Sequence, residues 1–539
     1  MKKFRSLFFF VFVILGECDG KIIKSVKVYV TDIFVDSQIE IIKGISAVKV
    51  NTKPSLIKAV SPAKEGMICT TLLLKETERK LRTLNVFKRV HLNYKSLSDG
   101  IELEIYVTDS WTITPRLHLD SQTSEIKNVG IQDKNFLGLL KNVTLKRTEK
   151  DVYDEIEISY DDKVFLNSDT RFNVVYGDKS EGYRYGLKID DQAIELTKAR
   201  GWLIESSFYD TIFKRVNQPQ TLFSKQSREI KGQVEDQIQI NDSRWIKYSY
   251  GIEYLDKLVG HHPESSRLLF DETYLGPFVR LSVFEPKFKT VDYFNFFNYL
   301  EDVDLGQNLS IEIFYSPQLS ALSEALVISS ALSKGYPFNE TSLLFNSASY
   351  QFRLGELTEF ENAVLDLKST FYQYIKDPIT KLPGSLVACL NMLASKSLDP
   401  DREFSLGGEK GLLGFKNNSL SDENIVYFKI ELRNTLAENF KNLFSVGSSL
   451  FFEIGSSAER FNDITGDFLA DFGIGLRFFF PDLSPPRIFR LDFALPVTDG
   501  PEVSAFQIRL TASEEKPITR SIFEEKTLFD QFRDLGLLD

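Results

Sequence analysis

The sequence predicts a membrane all-β fold: a 16-stranded antiparallel transmembrane β-barrel preceded by a small α+β module. Three observations predict it. A short apolar segment at the N-terminus reads as an export signal. Residues 111–515 alternate with period two and hold no clear helix. Phe is abundant, 45 of 539 residues, and crowds the apolar face of those alternating segments. Composition removes the competing classes. With 42% hydrophobic and 26% charged residues the chain as a whole is not disordered. A net charge of −11 excludes a phosphate-tracking nucleic-acid binder, which needs a basic surplus. After the first 20 residues no apolar run reaches about 18, so a polytopic helical membrane protein is excluded, whereas barrel strands leave no such signal.

Residues 1–20 carry the export signal. Lys2, Lys3 and Arg5 precede the apolar run Ser6–Gly16, which Glu17, Cys18, Asp19 and Gly20 break. That run is too short to span a bilayer and fits the apolar core of a secretory signal. Glu17 is a poor fit to the small residue that lipidation of Cys18 needs, so Cys18 is expected to be lost with or near the signal. Cys69 and Cys389 then remain, far apart in sequence, and no disulfide framework is indicated.

Residues 21–110 form the α+β module. Val26, Val28 and Val30 alternate with Lys27 and Tyr29 on a half-buried strand. Thr70–Leu84 reads as a helix with Leu74, Leu81 and Leu84 on one stripe and Lys75, Glu78, Arg79 and Arg82 on the wet side. Val90, Leu92 and Tyr94 alternate on a second strand. Ser98-Asp99-Gly100 turns the chain, and Ile101, Leu103, Ile105 and Val107 alternate on a third.

Residues 111–515 form the barrel. Val426, Phe428, Ile430 and Leu432 alternate with polar residues, as do Ile474, Leu476, Phe478 and Phe480, then Phe489, Leu491, Phe493 and Leu495, then Phe506, Ile508 and Leu510. Lipid requires every backbone group to be paired, which strands achieve by closing. At about 25 residues per strand with its connection, some 16 strands fit. Residues 516–539 are a C-terminal extension, in which Leu528, Phe532 and Leu535 have the spacing of a short amphipathic helix.

Several strings then resemble the outer-membrane assembly factor superfamily, the BamA/TamA group or bacterial surface antigen proteins. Glu76-Thr77-Glu78-Arg79-Lys80-Leu81-Arg82, followed by Val86-Phe87 and Val90, is similar to the second helix and next strand of a POTRA module. Asp109-Ser110-Trp111-Thr112 resembles the start of the barrel, and Asn135-Phe136-Leu137-Gly138 an early-barrel loop. Leu406-Gly407-Gly408, Gly411, Leu413, Gly414 and Phe415, with Glu431-Leu432-Arg433 beyond, resemble the family's long loop and its following strand. Phe451-Phe452-Glu453-Ile454-Gly455, Gly473–Arg477 and Arg490–Phe493 resemble the strands after it. The resemblance implies a periplasmic POTRA-like module and an outer-membrane barrel whose loop folds back into the lumen.

The function so implied is insertion or translocation of proteins at the outer membrane of a Gram-negative-type bacterium. The POTRA-like module would receive clients by β-augmentation at the strands Ser25–Thr31 and Ile101–Val107. The alternative is a structural or pore-forming barrel of the same fold without insertase activity. The implied partners are outer-membrane lipid, unfolded outer-membrane protein clients and periplasmic proteins, with no nucleic acid and no cofactor. Two departures stand out. Leu413 occupies the place of the family's loop Arg, and the last strand lacks its usual terminal aromatic. Leu413 cannot pair with a carboxylate, so Glu453 is expected to turn to Arg433 or Arg477, and the loop to be held by Leu412, Leu413 and Phe415.

The remaining polar residues read as structural. Glu431, Arg433, Arg477, Arg490, Asp492 and Arg509 fit a solvated lumen with paired charges. Gly407–Gly414 lacks the helix and the Lys-Ser/Thr pair of a phosphate loop. His261-His262 point to opposite faces of a strand with no third ligand near. Glu356, Glu359, Glu361 and Asp366 read as a solvated loop. No catalytic constellation is present, and the sequence predicts no enzyme.

Overall fold

The computed structural model describes residues 18–32, 50–119, 126–150, 152–193, 196–215, 218–262, 268–294, 300–319, 321–355, 359–376, 382–399, 401–440, 443–483, 487–500 and 507–513. Residues 1–17 of the export signal, the C-terminal extension, Phe506 and Glu356 lie outside the described residues.

Among the described residues the N-terminal module is a three-stranded sheet carrying two helices. Strand β1 (Ile23–Thr31) runs parallel to β3 (Gly100–Asp109), and β2 (Phe87–Leu97) pairs antiparallel with β3, giving the order β1-β3-β2. β3 is therefore the central strand, and β1 and β2 are the outer strands among the described residues. This corrects the expectation that Ile101–Val107 is an edge. Alternation alone shows which face of a strand is buried but not its rank in the sheet. Helix α1 (Pro54–Val60) has Pro at its first turn, and α2 (Thr71–Thr83) is capped by the Thr70 hydroxyl, which accepts from the Leu73 N–H at 3.1 Å. Leu73, Leu74 and Leu81 of α2 pack on Val26, Ile101, Leu103 and Ile105.

Cys18 and Cys69 are disulfide-bonded, with Cα atoms 5.8 Å apart. Ladder bonds place them there: Gly20 N–H donates to the Cys69 carbonyl at 3.0 Å, and Cys69 N–H to that of Lys21 at 2.8 Å. The expectation that no disulfide forms is thus corrected: Cys18 is buried against the module and its sulfur is bonded to Cys69. The 51-residue separation hid a pairing that the sheet edge creates.

Most of the remaining described residues form one large antiparallel sheet. Among the described residues its strand order is cyclic and contains twenty strands, from Ile113–Leu119 to Gln507–Ser513, the last followed by the first. Sixteen were expected. The excess arises because six strands of seven to nine residues, joined by short turns, fit within residues 113–190, whereas the expectation spread strands evenly along the chain.

Burial in this sheet is inverted. Ile474, Leu476, Phe493 and Leu495 are exposed, while Glu431, Glu453, Asp471, Arg477 and Asp492 are buried. Apolar side chains face out and charges face in, the arrangement of a barrel with an apolar solvent outside. Among the described residues no helix is long and apolar enough to cross a membrane.

Alternate turns lie at the module end. Trp111 N–H donates to the Asp482 carbonyl at 2.7 Å, and Lys88 pairs with Asp482. The early-barrel string is a joint between the two parts: Asn135 Nδ2 donates to Thr52 Oγ1 at 2.7 Å, and its Oδ1 accepts from Leu140 N–H at 2.8 Å. Leu140 and Val164, on the first barrel turns, belong to the module's own core. Antiparallel alternation then puts the long segment between Pro383–Lys396 and Asn424–Phe440 at the far end.

Candidate functional site

The far-end segment folds into the lumen. Phe404–Leu406 pairs with Leu420–Asp422 as a short hairpin, and the residues between them form its tip. The tip turns tightly, with Gly408 N–H donating to the Leu412 carbonyl and Phe415 N–H to the same oxygen at 3.0 Å. Leu406, Leu412 and Phe415 are buried with Val364, Ile425, Tyr427 and Leu469 of the wall. Two glycines make the approach possible. Gly411 lies at φ +116° against the Tyr427 ring, where a Cβ would come within 2.7 Å of it. At Gly455 a Cβ would sit 2.4 Å from Leu406.

Polar contacts complete the seat. Leu413 N–H donates to Glu453 Oε2 at 2.7 Å, and Gly414 N–H to Asp471 Oδ2 at 2.7 Å. Glu453 Oε1 also accepts from the Tyr427 hydroxyl at 2.7 Å and pairs with Lys429 at 3.0 Å. Beside them Glu431 is held by Arg433 at 3.1 Å and Arg490 at 3.2 Å, and Arg490 also holds Asp492 at 3.1 Å. Arg477 is fully buried and opposite Arg490 in register.

The expected site residues Leu406, Gly407, Gly408, Gly411, Leu413, Gly414, Phe415, Glu431, Arg433, Glu453, Gly455, Arg477 and Asp492 therefore lie on the loop or on the wall around its seat. Their roles differ from expectation in two respects. Glu453 is satisfied by Lys429, Tyr427 and a backbone N–H rather than by Arg433 or Arg477, because side chains of one face meet their nearest cross-strand partners: Lys429 is directly opposite Glu453. Leu413 is half-buried and outside the apolar cluster. It contributes its backbone, while Leu412 and Phe415 supply the apolar anchor.

Sequence reasoning missed the other half of the clamp. Asp399 and Asp401, just before the loop hairpin, reach the opposite side of the strand order. Asp401 pairs with Lys225 at 2.7 Å and Lys257 at 2.5 Å. Asp399 pairs with Lys257 at 3.2 Å and Arg353 at 2.9 Å, and accepts from Asn362 Nδ2 at 3.2 Å. Arg402 Nη1 donates to Asn362 Oδ1 at 2.5 Å. Burial alone would raise the Asp401 carboxyl, yet Lys257 and Lys225 hold it well below the usual carboxylate range. Burial likewise opposes the charge of Asp399, and Lys257 and Arg353 keep it depressed. Asp399-Pro400-Asp401-Arg402 was the available signal. A lumen cavity of about 420 Å³ opens beside this cluster, lined among others by Glu229, Glu253, Phe270 and Tyr274. Glu361 pairs with Arg353 at 2.9 Å, and so belongs to the lumen wall rather than to a solvated loop. The His261 ring lies tilted beside that of Phe223, their centroids 5.2 Å apart.

The loop, the strands on which it sits and the following hairpins coincide with a family match. Residues 344–515 match the Omp85 superfamily domain. The BamA/TamA-type resemblance read from its strings is borne out. Among solved structures it is similar to BamA from Haemophilus ducreyi lacking POTRA domains 1–3, at 11% identity and a TM-score of 0.38, covering 91% of this chain and 84% of that one. It is also similar to CdiB from Acinetobacter baumannii, at 11% identity and 0.44, covering 91% and 74%. CdiB from Escherichia coli gives 13% and 0.44, covering 91% and 75%. No functionally curated protein matches the sequence.

Proposed function

We propose that this Omp85-domain chain is a non-enzymatic outer-membrane barrel that inserts or translocates proteins, with the barrel closed in lipid and the N-terminal module in the periplasm acting as a POTRA-like receiver. The observation that carries this reading is the inverted burial together with the loop seated inside it. Apolar residues line the outside, and the tip at Leu413 and Gly414 is tied to Glu453 and Asp471 within. The Omp85 domain match supports it. So does the Cys18–Cys69 disulfide, which suits an oxidising compartment. Clients would add as strands to the outer strands β1 or β2 by backbone augmentation, beyond the stretch of β1 at Ile23 already bonded to Gly66 and Met67.

Leu413 favours the second reading, a structural or pore-forming barrel without insertase activity, because the loop is held here by backbone N–H groups instead of an Arg side chain. Depletion separates the two: other outer-membrane barrels remain unassembled if this chain inserts them, and assemble normally if it does not. The shared part of both readings is tested by fractionation. The protein should sediment with outer membranes and migrate faster on gels before boiling than after, and recovery in the soluble fraction would refute both.

A further inference from the structure

At the module end, one connection between barrel strands is much longer than its job requires. Strands Leu268–Glu285 and Gln307–Ser316 are neighbours that a turn of a few residues would join. Instead the chain builds a strand pair, Phe288–Asp292 antiparallel with Leu300–Asp304, and its burial against wall residues sets it inside the barrel. Phe294 is 1% exposed, with its ring 4.6 Å from that of Tyr372 and 5.7 Å from that of Phe345. Val303 and Leu305 bury against Leu343 and Val387 in the same cluster. Leu343 and Phe345 share the parity of Arg353 on their strand, so they face the lumen, as Arg353 does in binding Asp399. The Tyr372 hydroxyl donates to the Tyr293 carbonyl at 2.8 Å, and the Tyr293 hydroxyl donates to Glu438 at 2.6 Å. The hairpin leaves the wall at Glu285 and is held by four strands lying farther round the ring, up to Asn424–Phe440.

Its root touches the module. The Arg79 guanidinium lies over the Phe288 ring, 5.6 Å from its centroid. Glu76 fixes that guanidinium through two bonds, at 3.0 and 2.8 Å, and its Oε2 also accepts from Leu196 N–H at 3.1 Å on another module-end turn. Arg79 and Glu76 are both buried, which corrects the placement of Arg79 on the wet side of α2.

We propose that the paired arms Phe288–Phe294 and Leu300–Leu305 form a plug seated in the module end of the lumen, and that α2 keeps it seated through the contact of Arg79 with Phe288. Displacement of α2, as when a strand adds to the module, draws Arg79 off the ring and lowers the cost of unseating the hairpin. The device rests on the membrane-barrel reading above.

Planar-bilayer recording of the full-length protein tests it. Replacing Lys287–Leu305 with a Gly-Asn turn should give a heat-modifiable barrel with a severalfold larger conductance. Phe294→Ala, which empties a buried aromatic seat, should make openings about a hundredfold more frequent, equivalent to roughly 3 kcal/mol at 1.4 kcal/mol per tenfold. Arg79→Ala and Phe288→Ala, on the two sides of one contact, should each raise the opening frequency severalfold, and the double variant no further. A hairpin-replaced barrel that stays heat-modifiable and conducts like the parent would overturn the plug. Unchanged gating in both Arg79→Ala and Phe288→Ala would overturn the link through α2. A parent protein that never enters lipid would instead sink the membrane reading, and the plug with it.

Discussion

Both ends of the lumen have an apolar seat, around Leu412 and Phe415 at the far end and around Phe294 at the module end, and the far end adds buried ion pairs. At the far end the loop is tied by charge and by backbone donors: Asp399 and Asp401 to Lys225, Lys257 and Arg353 on one side, Leu413 and Gly414 to Glu453 and Asp471 on the other. At the module end the hairpin is seated by rings and aliphatic side chains around Phe294. Buried ionic contacts are directional, and they leave a costly unpaired group when one partner goes. Apolar seats are nearly indifferent to charge and respond to lost volume. One barrel thus holds one insert that acid and charge substitutions address in addition to cavity formation, and another that cavity formation chiefly addresses. The two should be separable by experiment.

The largest separation should come from Glu453→Ala. It strips the acceptor from Lys429, from the Tyr427 hydroxyl and from Leu413 N–H in a buried site, where breaking a charge pair costs about 3–5 kcal/mol. Trypsin should then cut the loop at Lys410 or Lys416 in intact barrels, while the hairpin stays protected. Equal protection of the loop in variant and parent would remove Glu453 from the clamp.

Acid gives a second separation. Asp399 and Asp401 are held below their ordinary range by Lys257, Arg353 and Lys225, so their contribution is complete above the unfolded value of about 3.9 and is lost as the pH falls through the depressed folded values. The loop should therefore become cleavable only below about pH 3.9, by pulse digestion with an acid-active protease. Lys257→Met leaves each Asp with one cation partner, Arg353 or Lys225, and should move that onset upward by weakening both pairs. Loop release already at pH 6 in the parent protein would contradict the clamp as described.

The same contrast explains what was legible in the sequence. Alternation in Val426–Arg433 and Gly473–Phe480 showed which side chains share a face, and the Gly-rich string around Gly407–Gly414 marked the loop, because glycine is demanded where backbone meets wall. Rank and partner were not legible. Alternation in Ile101–Val107 reads the same for a central strand as for an edge, and Cys18 met Cys69 only through a ladder that no local pattern announces. Arg79 looked wet because the helix period sees only the module's own core, whereas a second body, the barrel, covers that face. The hairpin was invisible for a similar reason. Phe294 and Val303 resemble any barrel text until topology places them inside.

A smaller effect is expected at the module end from Tyr372→Phe. It deletes the hydroxyl bonded to the Tyr293 carbonyl and keeps the ring against Phe294, a loss of about 1 kcal/mol. Opening events should rise several-fold without any change in loop cleavage. Coupled changes at both ends would show that the two inserts are one unit.

The smallest effect belongs to Leu413, the position where a relative's Arg would stand. Its side chain is half-buried and lies outside the cluster formed by Leu412 and Phe415, whereas its N–H is what reaches Glu453. Leu413→Ala keeps the N–H and gives up a partly buried aliphatic side chain, so the cost should be below about 1 kcal/mol, with heat-modifiable yield and loop protection close to the parent. Leu413→Arg should also be tolerated, since it adds a cation near Glu453 and Asp471 while leaving the backbone bond in place. Leu413→Pro is the informative contrast, because it removes the donor itself and leaves Glu453 with one fewer partner in a buried site. Its loop should be cut by trypsin while that of Leu413→Ala is not. If Ala exposed the loop as strongly as Pro, the side chain rather than the backbone would be the anchor, and the polar account of the far end would fail at its tip.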